Sequence, residues 1–231
     1  MGWSRSSASI MVLSLLASCS GGSDTGGGGG GGHSSPQLAG SHGNLFLSIE
    51  KATGATTLRT GPGLAGFRDL RALAFDTNTN TLFGIDGFTG QLVRIDPATG
   101  AATAVGPLGI LVVDGLACGL GFDSNTNTLY GSIFDPAQNA DELVTIDPAT
   151  GSATVVGPIG FQDVFGLAFD PNTNTLFGTD AFGADLIEID PATGAGTFVS
   201  MLPTPGTTLA FDPNTNALYS TNNVKIQSST M

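Results

Sequence analysis

The chain aligns on itself, and this internal repeat restricts its fold more than any other feature of the sequence. The segment LAFDTNTNTLFGID (73–86) recurs as LGFDSNTNTLYGSI (120–133), LAFDPNTNTLFGTD (167–180) and LAFDPNTNALYSTN (209–222). A second element, LVRIDPATGAATAVGP (92–107), recurs as LVTIDPATGSATVVGP (143–158) and LIEIDPATGAGTFVSM (186–201), with a divergent first copy FLSIEKATGATTLRTG (46–61). The first element's aspartates, Asp76, Asp123, Asp170 and Asp212, set a period of about 45 residues. Repeats of that size stack as like units, each covering faces its neighbour cannot cover alone.

Local chemistry makes each half of the repeat a hairpin. In the first, short apolar strands at 73–75 and 81–83 flank Asp-Thr-Asn-Thr-Asn, and Asx side chains bond their own backbone and tolerate left-handed conformations. In the second, strands at 92–95 and 102–105 flank Asp-Pro-Ala-Thr-Gly; Pro fixes φ and Gly supplies the positive φ that closes the turn. Four strands per repeat follow. They carry almost no charge, as expected of sheets covered on both faces. With 35 Gly, 12 Pro and 11% charged residues, a coiled coil or helical bundle is excluded.

The L-A-F-D-P-N-T-N-T-L and I-D-P-A-T-G motifs, over about residues 44–222, resemble the NHL and YVTN classes of bacterial secreted β-propellers. The resemblance implies an all-β fold, a β-propeller of four-stranded antiparallel blades. The terminal Trp-Asp of WD repeats and the Gly-Gly and Trp of kelch repeats are absent; Trp3 is the only Trp. The chain supplies about four blades' worth of sequence: an outer hairpin (45–60), three complete repeats and an inner hairpin (209–220). Joining the ends in one composite blade gives a four-bladed ring, the lower limit for propellers. Alternatives are a truncated or incompletely closed ring, or a homodimer that completes a larger one. A third strand at 224–226, after an Asn222-Asn223 turn, competes with 45–49 for the same place.

Residues 1–19 read as an export signal, with Arg5 in the n-region, an apolar stretch from Ile10 to Leu16, and small Ala17 and Ser18 before Cys19; the apolar stretch is too short for a membrane span. Leu16-Ala17-Ser18-Cys19 resembles the bacterial lipoprotein box, which implies that Cys19 is acylated, with palmitate-type chains, and becomes the mature N-terminus. An ordinary signal peptide cleaved near Ala17 is the other reading. Ser20 lacks the Asp that resembles an inner-membrane retention signal, which points to the outer membrane of a Gram-negative cell. Residues 20–43, with an unbroken Gly run from Gly26 to Gly32, have the composition of a disordered tether spanning about 25–30 Å as a random coil. The expected organisation is a leader (1–19), a tether (20–43), propeller repeats (44–222) and a C-terminal tail (223–231).

The formal net charge of −12 disfavours nucleic acid as a partner and leaves any membrane contact to the lipid anchor. With Cys19 acylated, Cys118 stands alone, and a small buried hydrophobe is the expected role. The histidines, His33 and His42, both lie in the tether. Beyond the leader and tether the chain has no His, two Lys (Lys51, Lys225) and three Glu (Glu50, Glu142, Glu188), so a Ser-His-Asp triad, His-ligated zinc and a His base are excluded there.

Turns within the hairpins are uniform from copy to copy, whereas the loops joining them vary; a binding surface is written in variable loops. Those loops carry Asp69, Asp114 and Asp163 before the inner strands and Asp86, Asp135 and Asp180 after the second strands. Directed at one channel mouth, they have the chemistry to bind Ca²⁺ or sugar hydroxyls; as strand-end residues, they cap turns. Phe88, Phe134, Phe161 and Phe182 in the same loops either form an apolar contact patch or tuck between blades. The repeated Asp-x-Asn-x-Asn lacks the Gly and Glu of a calcium loop and reads as a hairpin turn.

The expected function is a non-catalytic, lipid-anchored, extracytoplasmic binding scaffold for a protein or glycan partner, with no cofactor. Two alternatives stand beside it. One is a Ca²⁺-dependent hydrolase similar to lactonase propellers, although their Glu/Asn/Asp constellation finds no residue-by-residue match. The other is a truncated paralogue without function.

Overall fold

In a computed structural model of the chain, residues 12–15, 37–42, 45–50, 56–58, 67, 70–97, 99–110, 118–203, 206, 208–222 and 225–230 are described. They contain strands and turns, and among them no helix is long and apolar enough to cross a membrane. The strands form five antiparallel sheets in chain order. The first is β1 (Val12–Leu15), β2 (Gln37–His42), β3 (Leu45–Glu50) and β4 (Thr56–Leu58). The second is β5 (Leu70–Asp76), β6 (Thr81–Asp86), β7 (Gln91–Ile95) and β8 (Ala102–Pro107). The third is β9 (Cys118–Asp123), β10 (Thr128–Asp135), β11 (Ala140–Ile146) and β12 (Ala153–Pro158). The fourth is β13 (Val164–Asp170), β14 (Thr175–Asp180), β15 (Asp185–Ile189) and β16 (Gly196–Met201). The last has three strands, β17 (Thr208–Asp212), β18 (Ala217–Asn222) and β19 (Lys225–Thr230).

Each sheet is a meander whose first strand is innermost. The inner strands β5, β9, β13 and β17 pack side by side, and β1 packs against both β5 and β17. This is the propeller-like architecture that the repeats predict. The chain ends do not share a composite sheet: Ala217↔Thr230 through Asn222↔Lys225 pair β18 with β19, so the third-strand position beside β18 is occupied and β3 pairs with β2 instead. β1 and β2 fall within the segments read as leader and tether, most of which lies outside the described residues.

The core lies between sheets. Ala72, Phe83 and Ile85 of the second sheet pack with Leu120, Leu129 and Val144 of the third. Tyr130 and Leu143 of the third pack with Leu167, Phe169 and Ile187 of the fourth, and Ala168 and Phe177 pack with Phe211 and Leu218 of the last. Strands β6 and β14 are buried along almost their whole length, as strands covered on both faces must be; the outer strands β8 and β16 are largely exposed.

Every position of the Asp-x-Asn-Thr-Asn turn has a separate role. Asp76 Oδ1 accepts from the Asn78 and Thr79 backbone N–H groups at 2.8 and 3.1 Å, and Oδ2 accepts from the Thr79 hydroxyl. Asn80, Asn127, Asn174 and Asn216 hold the left-handed position, φ 52° to 59°, which Asn tolerates better than most residues. The first Asn ties neighbouring blades: Asn78 Nδ2 donates to Ser124 O (3.1 Å), Asn125 Nδ2 to Pro171 O (3.0 Å) and Asn172 Nδ2 to Pro213 O (3.5 Å). The repeat is therefore a hairpin code and a blade-to-blade code at once.

The outer hairpins interlock in a second way. Gly106 in β8 and Gly157 in β12 lie so close to the Thr150 and Thr193 carbonyl oxygens of the next blade's Asp-Pro-Ala-Thr-Gly turn that a Cβ would overlap them. The first residue of each following outer strand then closes the contact, Ala153 N–H donating to Leu108 O and Gly196 N–H to Ile159 O, at 2.9 and 2.8 Å.

Candidate functional site

Strand direction places the uniform turns at one end of the ring and the variable loops at the other. Of the aspartates predicted to line the loop face, Asp69 and Asp114 lie outside the described residues, as does Cys19. The other four occupy strand ends. Asp86 is buried, with Oδ2 accepting from the Thr89 hydroxyl at 2.6 Å and Oδ1 from Phe88 N–H at 3.4 Å. Asp135 accepts from Ala137 N–H at 2.8 Å and from Gln138 Nε2 at 3.0 Å. Asp180 Oδ1 accepts from the Phe182 and Gly183 N–H groups at 2.7 and 3.0 Å. Asp163 holds φ +56° and its carbonyl accepts from Ala181 N–H at 3.0 Å. Three of the four are thus engaged by donors of their own turns.

A fifth carboxyl, absent from the sequence-derived set, lies among them. Asp141, at the start of β11, is fully buried. Its Oδ2 accepts from Val164 N–H at 2.5 Å, while its Oδ1 has no hydrogen-bond partner. Burial pushes its pKa from 3.8 up to about 6, against the lowering effect of the Val164 bond and with the Asp163 and Asp180 charges adding to the rise. Ser132 holds the other side of the same residue: its hydroxyl accepts from Gly119 N–H at 2.7 Å and donates to Val164 O at 2.6 Å. Both backbone groups of Val164 are therefore fixed by the preceding blade. Asp141 was hidden because its counterparts, Gly90 and Ala184, are unlike it; the strands β10 and β11 that flank its turn are longer than those of the corresponding hairpins in the flanking blades.

Among the described residues no group of three or more His, Cys, Asp or Glu converges as a metal site requires. A hard cation needs six to eight oxygens, whereas most carboxylate oxygens of Asp86, Asp135 and Asp180 already accept hydrogen bonds from their own turns. The described carboxylates therefore do not form a ready cage for Ca²⁺.

What the loop face does present is aromatic surface. Phe88 is 69% exposed and Phe182 83% exposed, at the tips of equivalent loops between β6 and β7 and between β14 and β15. Phe134 is half-buried, and Phe161 packs against the core of the third and fourth sheets. The two expected fates of these residues both occur.

At the opposite end, within the ring of inner strands, is a cavity of about 120 Å³. Phe75, Phe122, Phe169 and Phe211 surround it with Leu and Ala, and Thr77, Ser124, Pro171, Pro213 and Asn214 form its rim; none of its lining residues is charged. Its walls come from the uniform repeat, so no divergence between copies marked it in the sequence.

A family described as a domain of unknown function (DUF4394) matches residues 72–168. No curated protein matches the chain. Among solved structures, a chain of the nidogen/laminin complex is similar over 97% of this chain and 81% of its own, with a TM-score of 0.57 and 12% identity. A Bacteroides thetaiotaomicron protein of unknown function gives a TM-score of 0.62 at 14% identity, over 83% of this chain; the present chain spans 55% of that protein's length. A gluconolactonase from Xanthomonas campestris gives 0.55 at 17% identity, over 83% of this chain and 67% of its own. At these identities the likeness is one of architecture, and the chain is an all-β protein with the β-propeller fold.

Proposed function

We propose that this protein is a non-catalytic binding scaffold that presents its variable-loop face to a protein or glycan partner outside the cytoplasm, held to the membrane by lipid on Cys19. The observation that carries the proposal is the exposure of Phe88 and Phe182 on that face, while Asp86, Asp135 and Asp180 serve their own turns. Large aromatic groups left bare on a rigid frame are characteristic of contact surfaces. The fold is also used for binding elsewhere: one solved relative belongs to the nidogen/laminin complex, and another, an auxiliary nutrient binding protein from Bacteroides thetaiotaomicron, has a TM-score of 0.52 at 12% identity.

The lipid anchor is tested by metabolic labelling with a palmitate analogue; label on the parent chain should vanish in Cys19→Ala. The surface is tested by binding to arrays of bacterial envelope glycans and proteins with Phe88→Ser/Phe182→Ser beside the parent. Bound signal should fall about tenfold or more while the melting curve is unchanged. Unchanged binding by the double variant refutes the assignment of the face, and Ca²⁺-dependent hydrolysis of lactones by the parent refutes the non-catalytic function.

A further inference from the structure

The loops that join the second and third strands of the second, third and fourth sheets share a framework but not a chemistry. In two of them the third residue after the opening aspartate caps it: the Thr89 hydroxyl donates to Asp86 Oδ2 at 2.6 Å, and Gln138 Nε2 to Asp135 Oδ2 at 3.0 Å. In the fourth sheet that position is Gly183. Asp180 Oδ1 still accepts from the Phe182 and Gly183 N–H groups, but no donor among the described residues reaches its Oδ2.

The residue across the strands differs as well. Register sets Gln91 opposite Asp86 and Ala140 opposite Asp135, whereas Asp185 stands opposite Asp180. Directly opposed like charges weaken a sheet, so the strands themselves do not explain the pair. No described residue donates to the Asp185 carboxylate. A Cβ on Gly183 would lie 2.6 Å from Asp185 Oδ2 and 3.3 Å from Asp180 Oδ2, so both free oxygens border the space that the exposed glycine leaves open. Asp180 is only 7% exposed, which makes its Oδ2 an unpartnered oxygen on a nearly buried side chain.

Apolar surface adjoins the pair. Phe182, in the turn between the two aspartates, is 83% exposed, and Met201, opposite Asp185 on β16, is 72% exposed. Opposed residues project to the same face of a sheet, so Asp180, Asp185 and Met201 form one row across β14, β15 and β16. The matching row of the second sheet is Asp86, Gln91 and Pro107, with a single carboxylate that is already capped.

We propose that this corner binds a basic segment of a partner protein, seating an Arg or Lys side chain between Asp180 and Asp185 and the segment's apolar residues on Phe182 and Met201. The inference rests on the reading of the loop face as a contact surface and specifies the partner's chemistry. A cationic side chain brings the donors that the fold withholds from Asp180 Oδ2 and Asp185, and the adjacent ring adds cation–π attraction. Guanidinium suits the corner best, because it is planar, weakly hydrated and donates in a fork. A hard divalent ion suits it poorly: with Asp180 Oδ1 committed to backbone N–H groups, the pair falls short of the six to eight oxygens required. A neutral glycan has no positive charge to set against the two carboxylates.

The test is fluorescence polarisation of the full chain with a dye-labelled peptide of alternating Arg and Leu, beside its neutral isostere with citrulline for Arg, at about 0.1 M salt. The Arg peptide should bind about tenfold or more tightly than the citrulline peptide. Asp185→Asn and Phe182→Ser should each weaken it about threefold, and together about tenfold. The melting midpoint should stay put, since the Asp185 carboxylate bonds to nothing in the fold and Phe182 is exposed. Glu188→Gln, at an exposed position of the same strand, removes the same charge and should change affinity by less than about twofold. Equal losses in Asp185→Asn and Glu188→Gln reduce the binding to general attraction by an acidic chain and overturn the proposal. No binding up to about 1 mM, or equal binding of the two peptides, overturns it too. A partner that needs Phe88 and Phe182 but is indifferent to Asp185→Asn overturns the cation site while the loop face stands as the contact surface.

Discussion

Asp141→Asn separates the buried carboxyl's charge from its shape. In the folded protein the Asp141 pKa is pushed up to about 6, from 3.8, so the folded state holds its proton more tightly than the unfolded state. Its contribution to stability is therefore fully present below pH 3.8 and is lost as the pH rises through about 6. Two units correspond to about 3 kcal/mol in total, of which roughly 2–2.5 kcal/mol falls between pH 4 and pH 7.5. Asn keeps the oxygen that accepts from Val164 N–H and cannot ionise. The stability difference between parent and variant should therefore shift by about 2–2.5 kcal/mol in the variant's favour between those pH values, or roughly 5–10 °C in melting midpoint for a domain of this size. Urea denaturation at half-unit pH steps measures it, and taking the difference cancels carboxylates common to both chains. Parallel pH profiles for the two proteins would show that Asp141 titrates like a solvated carboxyl and would refute its burial as an unpaired charge.

Other outcomes follow from the same structure. Gly106→Ala or Gly157→Ala drives a Cβ into a neighbouring carbonyl oxygen and should cost about 1–3 kcal/mol or more, read as a lowered urea midpoint. Gly109→Ala, at φ +73° with open space around it, meets only backbone strain and should cost about 1–2 kcal/mol. Leu82→Ala, at a fully buried position in β6, should cost about 2–5 kcal/mol. Asn125→Ala removes the donor to Pro171 O and should cost about 0.5–1.5 kcal/mol; the outward-facing Thr154 of β12, changed to Ala, should stay within about 0.5 kcal/mol of the parent.

The blade was legible in the sequence because hairpin formation is local. The Asp, Asn, Pro and Gly of the two turns specify it within a few residues, and the structure reproduces both hairpins in each full repeat. Relations between blades were less legible. Asn78 was readable as a turn residue, but its bond to Ser124 O spans 46 positions and depends on how two sheets are set against each other. The roles of Asp86, Asp135 and Asp180 as turn caps followed from their strand-end positions. Asp141 escaped notice because its burial comes from the start of β13, and Gly90 and Ala184 at matching positions carry no carboxyl to compare. The exposure of Phe88 against the packing of Phe161 was equally unreadable, since composition does not say which loop folds back.

The claim that the loop-face acids belong to the frame has a direct test in thermal unfolding, followed by circular dichroism, with about 2 mM Ca²⁺ and again with excess EDTA, near saturation for a weak extracellular site. Carboxylates engaged by their own turns leave the ion no differential hold on the folded state, so the two cooperative transitions should coincide. A midpoint several degrees higher in Ca²⁺ would show that the folded protein binds the ion and would contradict the assignment of these acids to turn capping alone.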